Sequence, residues 1–421
     1  MKHVTLTLMA LFQGCAMFVA ASGLLSSSLS VQAGDMGLPT GLIGLMMAAY
    51  FLGFIVGTYL CPRVIIAVGH IRAFCVFAAI ASTAAICHAL LFNFLIWTFL
   101  RLATGVCMAG LFMVVESWLN EQAPNDVRGR VFAAYQIISL SSIALGQWLL
   151  PIMATNPIAP FLIGGMLLAL GLVPTALARV TEPAPVARVR LDLRHLWSVS
   201  PLSVLGALTA AIANSVFFAL GPVFGSESGM SLPQIATFMS LVVLGGVALQ
   251  WPIGHLSDRF ERRRIILAVS IAAAALAALS VYSQPRLIGL FYLSAFLYGG
   301  FTFSIYPLCV AHSNDHARPS DFIKTASGLL LVYGVGATLG PALAGLAMSQ
   351  FGPTAFFEVL MLTYAGMTLF IIYRIVARPA VPGATHEPFV MLSRTSQSVL
   401  DMLAGDRNAD PKSDEQAREK D

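Results

Sequence analysis

The amino-acid sequence predicts an all-α polytopic membrane protein with twelve transmembrane helices in two six-helix halves. Three observations carry that prediction. Of the 421 residues, 57% are hydrophobic and only 10% are charged, whereas soluble domains carry roughly a quarter charged residues. The apolar residues gather into twelve segments of about twenty residues each, the length that crosses a hydrocarbon core. The 24 Lys and Arg residues are sorted to one side. With the N-terminus placed inside, all but Arg101 and Arg286 fall at the inner helix ends, the inner loops or the tail. This is the positive-inside pattern, and an even number of spans then puts both termini in the cytoplasm.

The segments of the first half run over roughly 5–30, 41–61, 72–92, 94–119, 130–152 and 158–179. Those of the second run over roughly 202–224, 232–254, 264–283, 287–311, 325–348 and 354–376. The first apolar run, Thr5 to Leu29, exceeds a signal-peptide core of roughly 7–15 residues and reads as a retained spanning helix. Pro39, Gly41, Pro157, Pro201, Pro233, Pro285 and Pro353 mark later starts, where proline suits a helix first turn. The chain thus divides into an N-terminal half (1–179), a cytoplasmic linker (180–200), a C-terminal half (201–377) and a cytoplasmic tail (378–421). From Arg179 to Ser200 there are four arginines and two prolines, and a short amphipathic segment on an anionic leaflet is expected there. In the tail, Phe389, Leu392, Val399, Leu400 and Leu403 recur near helical spacing. Beyond about residue 405 the chain is charged and coreless, and disorder is expected.

Composition also excludes classes. The six cysteines lie in or beside apolar runs without a C-x-x-C, so neither a disulfide framework nor a metal site is implied. Neither H-E-x-x-H nor G-x-S-x-G occurs, which argues against an enzyme. A phosphate-binding loop is missing too. No cofactor and no nucleic-acid partner are expected; the lipid bilayer and a small-molecule substrate are, with the chain acting as a monomer.

Between two apolar runs lies Trp251-Pro-Ile-Gly-His-Leu-Ser-Asp-Arg-Phe-Glu-Arg-Arg-Arg264. Gly254 lets two helix backbones approach. Asp258 is placed to accept from free N–H groups at a neighbouring helix N-terminus, where the macrodipole favours an anion. Arg259 joins it, while Arg262, Arg263 and Arg264 read as topology signals. One half earlier, Pro62 to Arg72 keeps Gly69 and Arg72 but has Ile66 in place of the acid, and Phe51-Leu-Gly53 aligns with Val243-Leu-Gly245. An internal repeat follows. After the fourth segment comes Glu121-Gln-Ala-Pro124-Asn-Asp-Val-Arg128-Gly129-Arg130, a bend in which carboxylate and guanidinium can pair.

These motifs, G-x-L-x-D-R-x-x-R-R and E-x-x-P-x-x-x-R-G, resemble the loop signatures of the major facilitator superfamily, with Glu261 where the family usually has Gly. Val115-Glu-Ser117, Arg128-Gly-Arg130, Gln250 to Gly254, Tyr306-Pro307 and Gly340-Pro341 resemble its YcaD-like subgroup. The resemblance implies the facilitator fold and secondary active transport of a small molecule by alternating access in the bacterial inner membrane. It also implies that Gly254, Asp258 and Arg259, with Glu121, Arg128 and Arg130, form a cytoplasmic gate. In that gate Asp258 would engage the start of the fifth helix, and Ile66 would leave the opposite latch missing. A non-transporting sensor or scaffold on the same fold is the alternative.

Within the spans, few residues can carry chemistry. Arg101 in Arg101-Leu-Ala-Thr-Gly105 resembles the fourth-helix arginine of the family, with Cys107 in place of a glycine. An intramembrane arginine either faces water or a partner, or snorkels. Glu116 lies on a similar face of that helix, about 22 Å away along the axis. It either carries a proton, as a desolvated carboxylate can, or pairs with Arg128 or Arg130. Proton coupling rests on the first reading. Gln13, Gln136, Asn214 and Tyr306 are candidate substrate contacts, and Gln147 and Tyr298 are cavity polars or helix–helix glue. His88 reads as a satisfied surface histidine, and Glu358 as a first-turn acid.

Overall fold

The structure, a computed structural model, describes residues 2–124, 127–177, 193–283, 287–318 and 321–377. The first half holds α1 (Lys2–Asp35), α2 (Thr40–Val68), α3 (His70–Leu90), α4 (Phe94–Gln122), α5 (Arg128–Gln147) and α6 (Ala159–Leu177). A short α7 (Leu193–Val199) precedes the second half. That half holds α8 (Pro201–Glu227), α9 (Leu232–Arg259), α10 (Arg262–Ser283), α11 (Ile288–Asn314), α12 (Phe322–Phe351) and α13 (Ala355–Ala377). All but α7 are long and apolar enough to cross a membrane, twelve in number. No strand occurs among the described residues. Most of the linker, and the tail with its expected surface helix, lie outside the described residues.

Helix starts follow their caps. Asn93 Oδ1 accepts from the amides of Leu95 and Ile96 at 2.9 and 3.2 Å to open α4, and Ser200 with Pro201 opens α8. Two predicted boundaries move. The second helix, expected to end near residue 61, runs through Pro62 to Val68 and turns into α3 on the single residue Gly69. Gly69 has φ 84°, a conformation that glycine adopts without a Cβ penalty. The fifth helix stops at Gln147, and Leu150–Ala154 forms a 3-10 turn around Pro151, because proline cannot donate to the preceding turn.

The sequence repeat has one physical cause in both halves. A Cβ on Gly53 would sit 2.1 Å from the Leu102 carbonyl oxygen, and one on Gly105 would sit 2.0 Å from that of Tyr50. On α9 and α11 the corresponding distances are 1.8 Å, from Gly245 to Phe296 O, and 1.7 Å, from Gly299 to Val242 O. Only glycine permits such backbone approach, so α2–α4 and α9–α11 are equivalent tight pairs.

The halves meet through α1–α8, α2–α12 and α5–α9. Ser26 and Ser30 donate to the carbonyls of Phe218 and Ala219 at 3.2 and 2.7 Å. Thr40 donates to Glu227, and Ser240 donates to Ala144 O at 3.0 Å. Gly44 packs on Pro341 and Gly345. These contacts sit toward the C-terminal ends of α1, α5, α8 and α12 and the N-terminal ends of α2 and α9. They therefore seal the end of the bundle opposite the Arg259–Arg264 loop.

Candidate functional site

Arg101 sits two turns into α4 with only 4% of its surface exposed. Its guanidinium lies over the Tyr50 ring of α2, with Cζ 4.4 Å from the centroid. Gly53 and Gly105 place it there by bringing the two helices together. Ser22 of α1 faces the Tyr50 phenol. No side-chain or backbone oxygen among the described residues accepts from Arg101, and its Nε is buried without a partner. Below it, toward the arginine-rich end, runs a ladder of rings. Tyr50 and Phe54 are 6.5 Å apart, Phe54 and Phe112 6.3 Å, and Phe112 and Phe18 5.2 Å. Three helices, α1, α2 and α4, build this wall. The nearby His88 is a buried residue and not the surface histidine expected. Its Nδ1 meets the Ala84 carbonyl at 2.6 Å, and its ring packs beside Trp97 and Phe161.

Glu116 is wholly buried and accepts from the Tyr135 hydroxyl of α5 at 2.9 Å. Cys15 of α1 lies 3.7 Å from Ser139 of α5 and faces the same Tyr135 hydroxyl. The carboxylate thus sits where α1, α4 and α5 converge, with a hydroxyl positioned to share a proton with it. Arg101 and Glu116 are in separate clusters of one half, as their spacing along α4 requires.

The other candidates divide. Asn214 is buried on α8, where its amide nitrogen donates to Ala210 O and its Oδ1 has no partner. It lies one turn before Phe218, whose ring packs on Phe303 of α11 at 5.9 Å. Tyr306 is buried edge-on against Tyr333 at 5.0 Å. Gln136 is buried and Gln13 is exposed. Gln147 is glue within the first half, donating to Gly23 O at 3.1 Å and accepting from Ser27 at 2.6 Å. Tyr50 and Tyr135 escape the sequence reading, because aromatic residues are common in apolar runs.

The family model described as Major Facilitator Superfamily matches residues 6–251 and 202–400. The chain belongs to the major facilitator superfamily. Among curated facilitators it is 26% identical over 361 residues to the uncharacterized MFS-type transporter YcaD of Salmonella newport, covering 85% of this chain and 93% of the relative. The Salmonella typhi protein of the same name is 25% identical over 388 residues, covering 91% and 100%. Two solved facilitators share the fold at 14% identity. The nucleoside transporter NupG has a TM-score of 0.72, covering 88% of this chain and 98% of that one. A bacterial homolog of the human lysosomal transporter Spinster, in an inward-facing and unoccupied conformation, has 0.65, covering 96% and 97%. The chain is thus a facilitator-type transporter by family.

The facilitator loop motif makes pairings inside its own half. Gly254 is buried and Arg259 exposed. Asp258 accepts from Arg262 Nη2 at 2.9 Å. Arg262 is no mere topology signal. It is 1% exposed and donates through Nη1 to both oxygens of Asp315 at 2.7 and 2.8 Å. One guanidinium therefore ties the ends of α9, α10 and α11. At the matching positions of the first half, Ile66 is exposed and His70 packs on Trp118 with ring centroids 6.4 Å apart. In the second motif, Glu121 and Arg130 are exposed and Arg128 is half-buried at the start of α5.

Proposed function

We propose that this facilitator is a secondary active transporter that moves a small molecule across the inner membrane by alternating access, with proton coupling. In this reading the basic end is cytoplasmic and the state described is inward-open. The observation that carries this reading is the interface between the halves. Its named polar bonds lie toward the end away from the basic loops, and it is made of hydroxyl hydrogen bonds and glycine contacts. Each such hydrogen bond contributes about 1 kcal/mol net, so the seal can open without disturbing the tight pairs inside either half. Rocking of one half against the other about a central site is the motion such a division allows.

Arg101, Asn214 and Tyr306, with Gln13 and Gln136, are the substrate contacts of this proposal. Glu116 with Tyr135 is its proton site, and Gly254, Asp258, Arg259, Glu121, Arg128 and Arg130 form its cytoplasmic gate. Proteoliposomes with an imposed proton gradient test it. Glu116→Gln should abolish gradient-driven flux while exchange without a gradient continues. Unchanged gradient-driven flux would make Glu116 structural.

A further inference from the structure

Arg101 is a buried cation in want of an anion. Its exposure is 4%, its Nε has no partner, and its guanidinium lies over the face of Tyr50. Ring stacking holds the plane of a guanidinium and leaves its N–H edge available for a bidentate acceptor. Among the described residues no carboxylate is seen to accept from it. Glu116 is on the same helix, about 22 Å away along the axis. Glu227 is engaged with Thr40, and Thr40 lies ten residues before Tyr50 on α2, roughly 15 Å away along the helix. His88 supplies no negative charge in either protonation state. An intramembrane charge left without compensation is costly and marks a ligand pathway.

We propose that Arg101 is the counter-charge for a carboxylate on the transported molecule, and that the Tyr50–Phe54–Phe112 ladder receives that molecule's apolar body. This rests on the transporter reading and names its substrate class as organic monocarboxylates. One guanidinium balances one negative charge; a dianionic phosphate would bring a second charge into a site walled by rings, where burial without a partner is penalised. Tyr50, Phe54 and Phe112 are each half-buried, so part of each ring is left uncovered by protein. An apolar or aromatic body gains by covering them.

The test is an isosteric series on the purified full-length protein in nanodiscs: benzoate, benzamide, benzylammonium and phenyl phosphate, with octanoate as an aliphatic monoanion. Thermal stabilisation and calorimetry should report binding of benzoate or octanoate at millimolar concentration or below, at least tenfold tighter than benzamide, benzylammonium or phenyl phosphate. Arg101→Gln should lose at least tenfold in that affinity, and Arg101→Lys, which keeps the charge and loses the fork, should fall between. If Arg101→Gln does not fold, the series on the wild-type protein decides alone. Equal binding of benzamide, preference for benzylammonium or phenyl phosphate, or no binding of either monocarboxylate overturns the proposal. Flux separates it from the reading beneath it. Benzoate bound but never moved across proteoliposomes would sink transport and leave the anion site standing. Flux of a neutral or cationic solute without monocarboxylate binding would do the reverse.

Discussion

Removing Arg262 should be among the most damaging single changes at the basic end of the bundle, and removing Asp258 should be mild. In the pair with Asp315 the side chains are 1% and 3% exposed, with N–O distances of 2.7 and 2.8 Å. Arg262→Ala would take the bidentate partner from the buried Asp315 carboxylate, and breaking a buried pair by removing one partner costs about 3–5 kcal/mol. The Asp258 side chain is 29% exposed, so solvent screens its bond to Arg262, and Asp258→Asn should cost about 1 kcal/mol or less. Thermal unfolding in detergent, followed by intrinsic fluorescence, reads the difference. Arg262→Ala should lower the midpoint well beyond Asp258→Asn. The double variant Arg262→Ala/Asp315→Ala should recover part of the loss, because it leaves no orphaned charge. Equal effects of Arg262→Ala and Asp258→Asn would refute the reasoning. They would show that Asp258 has a second, costlier role, such as the inter-half latch that its motif implies.

Two further outcomes are expected. Leu196 is buried, with its side chain over Gly328 of α12, so Leu196→Ala should release α7 at a cost of about 2–5 kcal/mol. Faster protease cleavage between α6 and α8 would report it, and an unchanged rate would mean that other contacts hold the helix. Gly299→Ala places a methyl 1.7 Å from the Val242 carbonyl, whereas Gly366 has nothing near it. Gly299→Ala should therefore reduce monodisperse yield sharply, with Gly366→Ala as the neutral control; equal yields would show that α9 and α11 can part without harm.

The fold was legible because a bilayer imposes it. Apolar runs of fixed length and a one-sided distribution of arginines are direct consequences of the solvent, and the helix count followed from them. Boundaries such as Val68 were not legible, since helices extend beyond the hydrocarbon and a polar helical extension looks like a loop. The site was half legible. Arg101 and Glu116 stood out as charges where charges are costly. Their partners Tyr50 and Tyr135 come from other helices, and composition does not mark which aromatic in an apolar run faces a charge. Arg262 was read as a topology signal for a related reason: a basic residue in an inner loop gives no sign of the buried carboxylate it meets, and Asp315 lies 53 residues away.

The central claim is that the halves move, with the basic end open in the state described. Spin labels at Ile66 and Arg259 report the basic end, and labels at Met36 and Ser226 the opposite one, all exposed positions. Distances between each pair, measured by pulsed electron resonance in nanodiscs across pH and with added monocarboxylate, test it most directly. The account predicts two populations at each end that trade places: when the 66–259 distance shortens, the 36–226 distance lengthens. One fixed distance at each end under every condition would contradict it and leave a rigid scaffold on a facilitator fold.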